Sequence, residues 1–164
     1  MKSAHFVVIT LFAFLVSAVA VAGEPVADEE FGVQIPPPDA WEVDADDDKA
    51  VANFKHPDSQ SQIQVIGTQL MSEEVSDVFF GTFHDTLVES NFEEVGSEDA
   101  SFGDFEGKKT TYEFSHSGVT LEVTVFEFLR DDTAWLAIGY MQDEHADEHI
   151  ADYEAVVENI SFDD

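Results

Sequence analysis

The chain has 164 residues, with 36 Asp plus Glu against 6 Lys plus Arg, a formal net charge of −30 and a pI near 4.1. Repulsion on that scale excludes nucleic acid and anionic membrane surfaces as natural partners. The lack of cysteine excludes disulfides, thiolate metal sites, cysteine nucleophiles and a lipid-modified cysteine.

Residues 1–22 read as a cleaved signal peptide. Lys2 supplies the positive start, Phe6 to Val16 form an apolar run broken by Thr10, and Ala20-Val21-Ala22 is an A-x-A cleavage site. The mature chain then begins near Gly23. An uncleaved anchor is the rival reading, but the apolar stretch is at the short edge of the ~20 residues a span needs. No second apolar run follows, so no integral membrane segment is expected after cleavage. Removing the segment leaves only Lys49, Lys55, Lys108, Lys109 and Arg130 facing the acids. Fifteen Phe and two Trp nevertheless mark a chain that buries a core rather than a disordered acidic tail.

Residues 23–30 read as a mobile acidic leader. Phe31 to Ile35 alternates like a strand, which Pro36-Pro37-Pro38 ends because proline has no ladder donor. Trp41-Glu42-Val43 resumes an extended path. Asp44 to Lys49 is an acidic turn. Residues 50–56 and 62–70 then read as paired strands joined by Pro57-Asp58-Ser59. The first helix is predicted over residues 73–90, with Ser72 as N-cap, Glu73 and Glu74 in the first turn, and an apolar face of Val75, Phe79, Phe83 and Leu87 with Phe80 alongside.

From Asn91 the period changes to two. A short strand over 92–95 and a Gly/Ser/acid loop come first. Three long strands follow, over 105–115, 119–130 and 133–141, joined by the turns Ser115-His116-Ser117-Gly118 and Asp131-Asp132. Val119, Leu121, Val123 and Val125 share one face, with Phe126 and Phe128 on the other. Leu136, Ile138 and Tyr140 align on the last strand. A closing helix over 144–159 carries the stripe Ala146, Ile150, Tyr153, Val157 and Ile160. The pattern is α+β: a central antiparallel sheet of about six to seven strands flanked by two helices, in the order βββ-α-ββββ-α, with residues 31–162 as one domain.

With Ile35-Pro36, Trp41 after a Pro-rich bend and a terminal Ile160-Ser161-Phe162, this element order resembles the PsbP-like superfamily. That group includes photosystem II PsbP proteins, a Ran-binding nuclear-import factor and DcrB-type bacterial envelope proteins. The resemblance spans residues 31–162. It implies a central antiparallel sheet flanked by helices and an accessory or binding role without catalysis. It transfers no functional residue.

His145-Ala146-Asp147-Glu148-His149 matches H-x-x-E-H, the inverted zinc-protease pattern. Two His at i and i+4 share a helical face, and Zn²⁺ accepts imidazole nitrogen. That class needs a further ligand downstream, where few residues remain. The segment therefore reads as the exposed polar first turn of the closing helix. Asp44, Asp46 and Asp48 repeat the start of a calcium loop, but Lys49 replaces its Gly and Lys55 its closing Glu. Gly103 to Thr110 is one residue short between glycines for a phosphate loop and leads into a strand. Ser115-His116-Ser117 sits in a hairpin turn, and no G-x-S-x-G elbow makes a serine nucleophilic. Asn159-Ile160-Ser161 matches the glycosylation sequon by chance. His56 and His84 read as isolated structural or solvated residues. Trp41, Phe102, Phe105, Phe126, Phe128, Trp135 and Tyr140 read as core, with an apolar ligand site as the lesser alternative.

No catalytic, cofactor-binding or metal-ligating residue is assigned on these grounds, and no cofactor is expected. The acids scatter over every turn and helix, which favours a solvated surface adapted to high salt over convergent cation sites. The expected function is an exported, non-enzymatic binding or assembly accessory of the cell envelope, periplasmic or extracellular, whose partner is another envelope or secreted protein. The alternative is a divalent-cation-binding protein using acidic loops and His145/His149.

Overall fold

The computed structural model describes residues 23–46 and 49–163. The expected signal peptide, residues 1–22, lies outside them. Ten strands and two helices follow in the order β1 (Val26–Asp28), β2 (Val33–Ile35), β3 (Glu42–Val43), β4 (Ala52–Lys55), β5 (Gln62–Gln69), α1 (Ser76–Glu89), β6 (Glu93–Phe102), β7 (Phe105–His116), β8 (Val119–Arg130), β9 (Thr133–Gln142), α2 (Ala146–Glu158) and β10 (Ser161–Phe162). Seven strands form an antiparallel sheet in the order β3-β4-β5-β9-β8-β7-β6, and β1-β2-β10 form a small second sheet. The α+β class, the two helices and the central sheet stand as the sequence indicates.

β8 and β9 lie mid-sheet, and both their faces are covered, so apolar residues occur on both. One face carries Tyr112, Val123, Val125, Leu136 and Ile138, with Phe79, Phe80, Phe83 and Leu87 of α1 packed against them. The other carries Phe126, Phe128, Trp135, Ala137 and Met141 under α2 and the small sheet. Val123 and Val125 therefore oppose Phe126 and Phe128, as the alternation predicts. Ser117 and Gly118 both take positive φ (54° and 83°), the mirror-image turn whose twist matches a hairpin.

Four local features differ from expectation. β6 is a ten-residue strand, not a short one followed by a loop. It is an edge strand exposed on most of its length, so no apolar alternation marks it. In the stretch read as a mobile leader, Val26–Asp28 pairs with β2, and Ser161 and Phe162 pair with β2 from its other side. Strands of two or three residues are too short to show a period. Ser72 makes no side-chain cap: a 3-10 turn over Glu73–Val75 precedes α1. The stripe of α2 is rotated, so that Ala146, His149, Tyr153, Val156 and Val157 are buried while Ile150 is half-buried.

Tyr153 shows how α2 docks. Its hydroxyl donates to the Ala137 carbonyl at 2.9 Å, and its ring lies over Gly139, where a Cβ would stand 2.9 Å from Cδ2 of Tyr153. The glycine lets helix and strand approach closely. Across the same face Trp135 stacks parallel to Phe128 at 6.1 Å, and Phe31 and Phe162 meet it edge-on. Arg130 lies 4.2 Å over the Phe162 ring, a cation–π contact that closes the end of the small sheet.

Candidate functional site

The first turn of α2 faces both ways: Ala146 and His149 enter the core, while Asp147 and Glu148 stay in solvent as expected. His149 is only 2% exposed. It lands there because the β4–β5 hairpin and the bend carrying Trp41 converge on the start of α2. Trp41 follows a left-handed Ala40 (φ 67°), and its N–H donates to the Pro38 carbonyl. Its ring meets His56 and His149 edge-on, each at 5.3 Å. The imidazoles of His56 and His149 lie 4.3 Å apart, and His145 adds a third ring 5.7 Å from His149. The Trp41 indole N–H donates to Asp152 at 3.0 Å, fixing a carboxylate beside the cluster.

The polar atoms are unevenly satisfied. His56 Nδ1 accepts from the Asp58 N–H at 3.3 Å, and Ser59 Oγ lies 3.3 Å from His149 Nε2. His149 Nδ1 has no hydrogen-bond partner among the described residues: Asp152 Oδ2 stands 3.6 Å away, beyond a hydrogen bond. His145 Nδ1 lies 3.9 Å from Glu148 Oε2. Ligand atoms of His145, Glu148 and His149 all fall within 4.8 Å of one another.

His84 is not isolated either. It reaches from α1 to the sheet, where its Nδ1 meets the Tyr112 hydroxyl and its Nε2 lies 2.5 Å from Glu127 Oε2. With the Nε2–H donating to the Glu127 carboxylate, Nδ1 is the acceptor for the Tyr112 hydroxyl. Burial, with Glu94 and Glu127 nearby, pushes the Tyr112 phenol up to about 12. A phenol held protonated and fully buried is a poor base and a poor nucleophile, so the arrangement is a tether for α1.

The other candidates disperse. Asp44 forms an ion pair with Lys55 at 2.5 Å and accepts from the Asp46 N–H and from Asn53. The Lys55 contact first, then the Asp46 N–H, hold its carboxyl below the ordinary value. Asp44 thus closes a turn, and Asp48 lies outside the described residues. Gly103 turns the β6–β7 hairpin at φ 56°, and Gly107 to Thr110 lie within β7. Six of the seven aromatics pack into the α2-side core and Tyr140 joins the α1 side, so they are core residues. Sequence reasoning missed the placement of His56 and Trp41 around His149. Their separation along the chain hides it; the only local signal was the i, i+4 histidine pair.

No protein-family model matches the chain, and no curated protein is similar to it in sequence. Solved structures are similar in fold. Cyanobacterial PsbP (CyanoP) from Synechocystis superposes with a TM-score of 0.60 at 11% identity, over 89% of this chain and 96% of that one. LpqN of Mycobacterium tuberculosis, described as involved in cell envelope biogenesis, gives 0.62 at 15% identity over 85% and 90%. A protein of Bacteroides thetaiotaomicron gives 0.62 at 12% identity, over 87% of this chain and 49% of that longer one. The fold is PsbP-like.

Proposed function

We propose that this protein is an exported, non-enzymatic binding or assembly accessory of the cell envelope. The observation that carries the reading is the near end-to-end likeness of fold to LpqN, a protein involved in cell envelope biogenesis. The signal-peptide pattern of residues 1–22 supports export. Two further features support a role without catalysis. The Tyr112–His84–Glu127 group is committed to holding α1, and the α2-side aromatics are packed against one another. The acids supply a solvated surface suited to high salt. No Asp or Glu stands among the buried polar residues of the described side chains, and a screening length of ~3 Å at ~1 M salt makes such crowding tolerable.

Fractionation of producing cells, followed by cross-linking in intact envelopes, tests this reading. The expected result is a processed chain beginning near Gly23, found in the envelope or the medium, with a discrete cross-linked adduct. Retention of the unprocessed chain in the cytoplasm removes export from the reading. A processed chain that forms no adduct removes the accessory role. A hydrolytic activity lost on His149→Ala replaces both with an enzyme.

A further inference from the structure

The half-satisfied state of His149 calls for an explanation. Buried polar atoms without a partner are exceptions in native folds. Among the described residues Ser61 Oγ, Trp135 Nε1 and His149 Nδ1 are such atoms, and only the last is a metal-ligating nitrogen: it belongs to a residue 2% exposed that shares a helical turn with a second imidazole and a carboxylate. We propose that His145, Glu148 and His149 form a binding site for a transition-metal dication of the Zn²⁺ type, with Nδ1 of His149 as its buried ligand.

The proton arrangement fits. Ser59 Oγ already accepts from the Ser61 N–H at 3.2 Å and stands 3.3 Å from His149 Nε2. With Nε2–H donated to Ser59, neutral His149 carries its lone pair on Nδ1. A ligating histidine commonly has its other ring N–H held in this way by a protein group. Asp152, fixed by the Trp41 indole, brings a negative charge to within 3.6 Å of Nδ1. His56 is excluded as a ligand by its own bond: an Nδ1 that accepts from the Asp58 N–H leaves the proton on Nε2. Together with Trp41, it walls one side of the site.

The donor set selects the ion. Two imidazoles with one carboxylate suit Zn²⁺, Cu²⁺ or Ni²⁺, whereas Ca²⁺ and Mg²⁺ call for oxygen ligands. Bonds of about 2.0–2.1 Å in a tetrahedron place ligand atoms roughly 3.4 Å apart, so the group must contract. The side chains that would move are the accessible ones: His145 is 36% and Glu148 76% exposed. His149 is the fixed point on which they close. Glu148 acts here as a ligand, not as the base of a protease.

The test is Zn²⁺ binding, measured by competition with a chromogenic chelator in ~1 M NaCl, where diffuse attraction to the acidic surface is screened. The expected result is one Zn²⁺ per chain, not displaced by excess Ca²⁺. It weakens at least about tenfold with His145→Ala and with Glu148→Gln, and is unchanged by Glu89→Gln at the exposed end of α1, which packs on the opposite face of the sheet. Glu148 is exposed and His145 only partly buried, so metal-free thermal unfolding should match the parent for Glu148→Gln and fall only slightly for His145→Ala. Zn²⁺ binding insensitive to both substitutions overturns the proposal. So does binding at low salt that vanishes in NaCl, or displacement by Ca²⁺, each of which assigns the ion to the acidic surface at large.

Discussion

Tyr112 holds its proton more tightly in the folded chain than in the unfolded one, and this fixes the sign of an alkaline transition. With the phenol raised from an ordinary value near 10 to about 12, the native state binds more protons between those limits. Stability is therefore fully present below about pH 10 and falls as pH rises through about 12. Tyr112→Phe should remove that part of the alkaline loss. It should also cost about 1 kcal/mol at neutral pH through the lost bond to His84, read from urea unfolding of the two proteins over a pH series. A parallel pH profile in the variant counts against the tether. Trp41→Phe tests the other histidine cluster. It keeps a ring against His56 and His149 but drops the donor to Asp152, for an expected loss of about 1 kcal/mol in the same assay. At this scale the sequence was least informative. The spacing of His145 and His149 was visible, but whether His149 faced water or the core turned on a rotation of the stripe by one residue, from Ile150 toward His149. Histidine fits either face, and no local rule chooses between them.

The two helices rest on the sheet differently. α2 buries Ala146, His149, Tyr153, Val156 and Val157, whereas α1 has no fully buried residue and leaves Val78 and Val88 largely exposed. Local opening tracks buried apolar contact. Amide exchange in α1 should accordingly run faster than in α2, and His84→Ala should widen the gap by cutting the link to Tyr112 and Glu127. Equal protection in both helices would contradict this ordering. Close approach is the vulnerable feature of α2. Gly139→Val puts side-chain atoms where the Tyr153 ring lies and should cost about 1–3 kcal/mol by thermal or denaturant unfolding. Elements with a strong period were legible: the faces of β8 and β9 and the Phe stripe of α1 are where alternation and i, i+4 spacing put them. β6 was not, because a strand at a sheet edge with most side chains in water has nothing to alternate.

For the whole molecule, charge sets the conditions of stability. Self-repulsion of a chain at −30 opposes compaction, and salt screens it. The melting temperature should climb steadily from ~0.01 M to ~1 M NaCl. A flat response would mean that the acids are spaced widely enough to be tolerated in fresh water. Topology was legible at this scale for a specific reason. Two of the segments that suggested a PsbP-like chain, Ile35-Pro36 and Ile160-Ser161-Phe162, meet in space: Ser161 and Phe162 pair with Gln34 and Val33 of β2, and Ile35, Ile160 and Phe162 cover the Trp135 side of the core. What stayed hidden was the β1-β2-β10 sheet as an object, assembled from pieces too short to announce themselves.

The exposed flank of β6 gives salt a second, opposing effect. Ten residues of open ladder, bulged near Glu94 and studded with Glu93, Glu94, Glu98 and Asp99, form an edge that like charge keeps from annealing to another copy. Among the described residues no strand pairs with its outer side. Salt that screens repulsion within the fold should screen this guard as well, so colloidal behaviour and conformational stability should pull apart as salinity rises. The conditions expected to preserve each molecule best are then those in which neighbouring molecules should most readily extend one another's sheets.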